Sequence, residues 1–179
     1  MITETALSEL LGCCMREDVG AVGAKLLYSD DTVQHAGVVI GFGGYAGHVN
    51  MGIKRDDYGY MVRARINCNY SAVTAACMMT KKSLFEQVGG FDEQFVVACN
   101  DVDYCLKIRE LDKWVIYNAF SEWYHYESKS RGYEDTPEKL KRFEGEVEKF
   151  QKKWPEILEK GDPFYNPNFP INRAPFTWG

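Results

Sequence analysis

The stretch VGAVGAKLLYSDDTVQHAGVVIGFGG, Val19 to Gly44, constrains the fold most. Two runs rich in small and β-branched residues flank Ser-Asp-Asp-Thr, a polar cluster suited to a turn, so the pattern predicts a β-hairpin. The glycine-rich segment Gly41 to Gly47 then breaks the strand period. A chain that commits this early to a buried hairpin needs helices or further strands to cover it.

Helical signals supply the cover. Leu7, Leu10, Leu11 and Cys14 recur at helical spacing behind Thr3, a residue type that caps helices, and this first helix is expected to end near Arg16. KKSLFEQVGG puts Leu84, Phe85 and Val88 on one face and Gly89 at a C-cap position. In NDVDYCLKIRE, Asn100 is a fair N-cap and Val102, Cys105, Leu106 and Arg109 share a face; KWVIYN reads as the strand that follows. Thr136-Pro137 is a strong helix start, and Leu140, Phe143, Val147, Phe150 and Trp154 continue an apolar seam. Between these elements, residues Asn50 to Arg65 read as a long loop or lid, NYSAVTAACMMT as a buried strand or strand-like segment, and the residues after Pro155 as an irregular wrapping tail. The expected fold is α/β: a mixed sheet flanked by helices, with a long C-terminal helix and an irregular tail, in one domain over residues 1–179.

Composition excludes several functions. A formal charge of −5 and a pI near 5.3 argue against a nucleic-acid partner, which would call for a basic face. No apolar run approaches the roughly 20 residues that span a bilayer, and MITETALSELLG lacks the pattern of a signal peptide. The six cysteines contain no C-x-x-C pair and most have apolar neighbours, which favours free buried thiols and a reducing, cytoplasmic compartment. Aromatic residues make up 14% of the chain, enough to stack on sugar faces or fill a core.

CNDVDYCLKIRE carries the sharpest chemical question. Asp101 and Asp103 are most simply read as negative charges in a helix's first turn, favoured there by the macrodipole. Asp101 also sits at an element junction, where a scaffold presents reacting groups and a carboxylate can accept a proton. YHYESKSRG gathers an imidazole, a carboxylate, two hydroxyls and a guanidinium: a polar loop, or a site for a metal-diphosphate. His35 reads as a satisfied strand histidine, His48 in its glycine-rich loop as one freer to act. Cys77, His125 and Asn100 could form a hydrolase triad only on paper, and GFGGYAG lacks the Lys-Ser/Thr of a phosphate loop.

Taken in order, VGAVGAKLLYSDDTVQHAGVVIG, AGH, SAVTAACMMTKKSLFEQVGGFDE, NDVDYCLKIRE and YHYESKSRG resemble the C-terminal part of a bacterial family 2 glycosyltransferase, of the rhamnosyltransferase and polysaccharide-synthesis type. The resemblance runs from about Ile2 to Asn168. It implies the acceptor-side half of a GT-A fold, with the nucleotide-binding half and its acidic metal motif upstream of Met1. The 179-residue chain is then expected to be inactive alone, and to self-associate through exposed edges. The resemblance implies transfer of a sugar from a nucleotide-sugar donor to a glycan acceptor, with inversion, at the inner face of the membrane. It makes Asp101 the general base, puts Gly90, Asp92 and Asn100 at the acceptor, and gives His125, Ser130 and Arg131 to the donor diphosphate. His125 is also a ligand of a divalent metal, Mg or Mn, in the complete enzyme. Family members carry Glu-Asp where this chain has Asn100-Asp101, which leaves Asp103 as a first-turn helix residue.

Two other classes compete. A non-catalytic carbohydrate-binding module would use the aromatics and polar loops, and would bind glycans without any effect of nucleotide or metal. An interaction protein would offer the helix from Thr136 to Trp154 to a partner, although such seams usually face the protein's own core.

Overall fold

The computed structural model describes residues 1–126 and 136–177. Its centre is β1 (Val19–Leu27), nine residues buried throughout, as expected of a strand covered on both faces. β2 (Val33–His35) returns antiparallel to it, with Tyr28 N–H donating to Thr32 O across the predicted turn. β3 (Val38–Ile40) leaves that ladder and pairs instead with β4 (Ala46–His48), so the second run of the hairpin serves two sheets. The long strand β7 (Trp114–Tyr124) lies parallel to β1 on its other side, and β5 (Cys68–Asn69) extends the sheet beyond it. β6 (Met78–Thr80) takes the first half of β1's remaining edge, opposite Ala21 to Gly23, while β2 takes the second. The architecture is a curled, mixed α/β sheet.

Helices cover both faces. α1 (Ala6–Cys14) lies on one, where Leu10 and Cys14 pack with Val22, Ala24, Leu26 and Ile116. The larger core on the other face receives α2 (Lys82–Gln87), α3 (Asn100–Glu110) and α4 (Pro137–Lys153), with α5 (Pro155–Lys160) beyond. Gly23 lets this side close up: a Cβ there would stand 2.5 Å from Val73.

Several expectations change. Thr3 does not cap α1: the helix starts behind Thr5, and the Thr3 hydroxyl donates to Phe120 O at 3.4 Å. Leu7 and Leu11 face outward, because the buried stripe runs through Ala6, Leu10 and Cys14 at steps of four. NYSAVTAACMMT is not one strand. Tyr70 to Val73 are buried, but only Ala72 is bridged, to Val38, and Thr74 then accepts Ala76 N–H to start a helical turn, Ala75–Cys77. α5 occupies the start of the expected irregular tail, with Pro155 in its first turn. The predicted start of α4 is found: Thr136 Oγ1 accepts Lys139 N–H at 3.3 Å. Among the described residues, no helix is long and apolar enough to cross a membrane.

Local polar chemistry shapes the sheet. The β1–β7 register passes from Ala24↔Asn118 to Lys25↔Glu122, leaving a bulge in β7. Asn118 builds it, its Oδ1 accepting from Phe120 N and Ser121 N while its Nδ2 donates to Glu9 O. The bulge sets Glu122 3.1 Å from the ammonium of Lys25, a strand lysine only 1% exposed. Lys25 also donates to Arg55 O at 2.7 Å, and Arg55 reaches Glu122 at 2.7 Å, so the loop after Asn50 is tied to the sheet by buried charge.

Candidate functional site

Asp101 sits in the first turn of α3. The cap is Cys99, one residue earlier than the sequence suggests, in the left-handed region at φ 64°. A non-glycine residue holds that conformation only where its surroundings impose it. Asn100, released from capping, accepts Asp101 N–H at 2.7 Å with its own Oδ1. The half-buried Asp101 carboxylate accepts Ala75 N–H at 3.1 Å through Oδ2 and Val102 N–H at 2.9 Å through Oδ1. Both bonds fix the orientation of the carboxylate at the helix entrance.

Asp103 lies in the first turn of α3, as expected, but is buried there. Successive α-helical residues turn by about 100°, so two positions along the chain the side chain points elsewhere. Asp103 is fully buried, accepting Trp154 Nε1–H at 2.9 Å and facing Lys153 at 2.7 Å and Lys107 at 3.5 Å. The two carboxylates therefore have separate environments and do not form a pair.

Beyond Ala75 lies a histidine pair. Thr74 N–H points at His35 Nε2 at 3.5 Å, and His35 Nδ1 meets His48 Nδ1 at 3.0 Å. His35 is fully buried, and burial first, His48 second, holds its pKa well below the usual imidazole value. His35 is the satisfied strand histidine the sequence suggests, but its partner is the histidine expected to be free. His125 follows β7, with its backbone N–H on Leu27 O and its Nδ1 2.8 Å from Gln34 Oε1. Strand alternation sends Gln34 and His35 to opposite sides of β2. His125 thus lies across β2 from the line His35–Thr74–Ala75–Asp101.

The remaining candidates are spread out. Gly90, at φ 66°, offers its carbonyl to Lys107 Nζ at 2.6 Å. Asp92 binds Lys153 at 2.7 Å and accepts from Gln94, and Lys153 above all holds its pKa down at about 2. Both residues belong to a turn laced onto α3 and α4. Ser130 and Arg131 lie outside the described residues. Among those described, no group of three or more His, Cys, Asp or Glu side chains is arranged to hold a metal ion. His125 has an amide oxygen as its neighbour rather than a carboxylate or thiolate, so the described donor set does not fit a divalent cation by itself.

Other chemistries lose ground. Burial pushes the Cys77 thiol up, and pushes Cys99 and Cys105 up to about 12, the reverse of what a nucleophilic thiol needs. GFGGYAG forms a short helical turn followed by β4, so no helix N-terminus is available to hold a phosphate there. A cavity of about 1260 Å³ opens between α3, α5 and the tail, lined in part by Arg109, Trp154, Asp162, Tyr165 and Phe169; Asp101 is not part of its wall.

Sequence reasoning missed the His35–His48 contact, the burial of Lys25 and the role of Glu146, which accepts three consecutive backbone N–H groups from Val96, Val97 and Ala98 at 3.2, 3.3 and 2.6 Å. The only signal for the last was its place on the apolar side of α4, one residue before Val147.

What fold and site define is a mixed α/β protein presenting one rigidly held carboxylate at a helix N-terminus. The chain is 46% identical over 172 residues to the uncharacterized protein y4gI of Sinorhizobium fredii, and 37% identical over 169 residues to the O-antigen biosynthesis protein RfbC of Myxococcus xanthus. These alignments cover 96% and 92% of this chain but only 19% and 13% of those relatives' lengths. No family model matches, and no solved structure matches.

Proposed function

We propose that this chain serves polysaccharide synthesis as the acceptor-side part of an inverting sugar transferase of the family 2, GT-A type, with Asp101 as the general base. The relative named for O-antigen biosynthesis supports the pathway class, and the ordered motifs of the sequence support the transferase class. The observation that carries the residue assignment is the setting of Asp101: a half-buried carboxylate clamped by Ala75 N–H and Val102 N–H at the mouth of α3.

In this reading an acceptor hydroxyl comes within about 3 Å of the Asp101 carboxylate and gives up its proton as its oxygen bonds to the anomeric carbon of the donor sugar. The bond from that carbon to the nucleoside diphosphate breaks in the same step, with inversion. A fixed carboxylate suits this work, since a misplaced base loses the gain from orientation. In complete family members the divalent metal would neutralise the leaving diphosphate; none of the steps assigned to this chain's residues depends on it.

The test is sugar transfer by the gene's complete product from nucleotide-sugars to glycan acceptors. Asp101→Asn keeps shape and removes basicity, so turnover is expected to fall roughly 10²- to 10⁴-fold. Near-normal turnover would return Asp101 to the role of a first-turn charge. Glycan binding indifferent to nucleotide, with no transfer, would favour the binding module instead.

A further inference from the structure

Glu146 is 2% exposed, yet it is a charged residue in the middle of α4. Its carboxylate collects the N–H groups of Val96, Val97 and Ala98, the three residues that lead directly into Cys99. Arg142, one turn earlier, stands 3.8 Å from Glu146 Oε1. Consecutive backbone N–H groups converging on one anion form a concave nest, and here α4 supplies the anion from within the protein. Immediately after the nest come the left-handed Cys99, then Asn100 and Asp101.

The chain thus turns into α3 through a strained residue whose upstream side is fixed by one carboxylate. Downstream, the fixing contact is Asp103 N–H on Cys99 O at 2.8 Å, the first bond of the helix. Where α3 begins determines where the Asp101 carboxylate stands relative to Ala75 N–H.

We infer that Glu146 is a positioning residue for Asp101: by holding residues 96–98 it sets the entry of α3 and with it the location of the base. This rests on the reading of Asp101 as the base. A glutamine at 146 keeps one carbonyl oxygen but turns an NH₂ group toward the backbone donors, so part of the nest is lost. An aspartate keeps the charge with one methylene less of reach.

The experiment uses the gene's complete product with the variants Glu146→Gln, Glu146→Asp, Asp101→Asn and the double variant Glu146→Gln/Asp101→Asn. Amide hydrogen exchange is expected to rise at least about tenfold at residues 96–103 in Glu146→Gln and to stay unchanged in β1 and β7. Turnover should fall roughly 10- to 100-fold with the KM for donor little altered, Glu146→Asp should recover part of the loss, and the double variant should be no slower than Asp101→Asn alone. If Glu146→Gln fails to fold, Glu146→Asp carries the same comparison with Asp101→Asn. Unchanged exchange at 96–103, or losses that multiply in the double variant, would overturn the inference while leaving Asp101 as base. Normal turnover in Asp101→Asn would instead remove the reading on which it rests, and the inference with it.

Discussion

Replacing Asp103 should damage the fold far more than its position in a helix's first turn suggests. A solvated acid there contributes about 0.3–1 kcal/mol through the macrodipole. Asp103, however, is completely buried between α3 and α4, and Asp103→Ala removes three partners at once: Trp154 Nε1–H, Lys153 and Lys107. Leaving the indole N–H unpaired costs about 1–3 kcal/mol. Breaking a fully buried ion pair costs about 3–5 kcal/mol, but the Lys153 and Lys107 side chains are 30% and 16% exposed and can move their ammonium groups into water. Much of the charge penalty is thereby relieved, and a net loss of about 2–4 kcal/mol is expected, a large share of the ~5–15 kcal/mol typical of a domain. Asp103→Asn retains an oxygen for the indole and should lose about 1–3 kcal/mol. Urea unfolding followed by circular dichroism and tryptophan fluorescence would measure both, with an unchanged m-value confirming the same folded state. A loss below about 0.5 kcal/mol in Asp103→Ala would refute the argument and put Asp103 back on the surface.

His35 is kept neutral in the folded state while an unfolded histidine protonates below about pH 6.5, so the unfolded chain binds more protons there and stability falls as pH falls. Urea midpoints between pH 7.5 and 5 should show this slope, at most about 1.4 kcal/mol per pH unit, and His35→Gln should flatten it; an equal slope in the variant would show that other groups cause it. Thr136→Ala should cost about 1 kcal/mol in the same unfolding assay, because the Lys139 N–H loses its capping oxygen; no change would mean that the start of α4 is held by Pro137 alone.

Local signals were readable where the physics is local. The Asp-Asp turn between β1 and β2, the glycine end of α2, the Thr-Pro start of α4 and the strand after α3 each follow from a few neighbouring residues, and each is found. The first helix forms where its apolar spacing predicts, but its cap and buried face differ. Thr3 and Thr5 are the same capping type, but the Thr3 hydroxyl bonds to the Phe120 carbonyl of a strand far away in sequence, and the helix starts behind Thr5. The split of residues 68–80 into two short strands likewise depends on distant edges: β5 pairs with β7, and β6 takes the part of β1's edge that β2 leaves open. Buried charges were least legible. Lys25, Asp103 and Glu146 look like surface residues because their closest partners, Glu122 and the Arg55 carbonyl, Lys153 and Trp154, and the backbone N–H groups of residues 96–98, come from elements 30 to 97 positions away.

At the site, the sequence placed Asp101 at a junction and Asp103 in the helix's first turn, but gave no sign that Asp103 is buried, which follows from helix geometry and the packing of α4. About 200° of rotation lies between them, so one carboxylate faces Ala75 and the other faces α4. The same helix therefore has a half-buried carboxylate on one side and a buried, fastened one on the other. α4 fastens it twice, through Glu146 at the loop before Cys99 and through Lys153 and Trp154 at Asp103. These contacts lie on either side of Asp101 in sequence, which is why loosening either one should reach Asp101 without touching it. Asn100, beside it, has its oxygen engaged with the Asp101 N–H. A carboxylate there would set a second negative charge beside the Asp101 carboxylate, and like charges at such range repel.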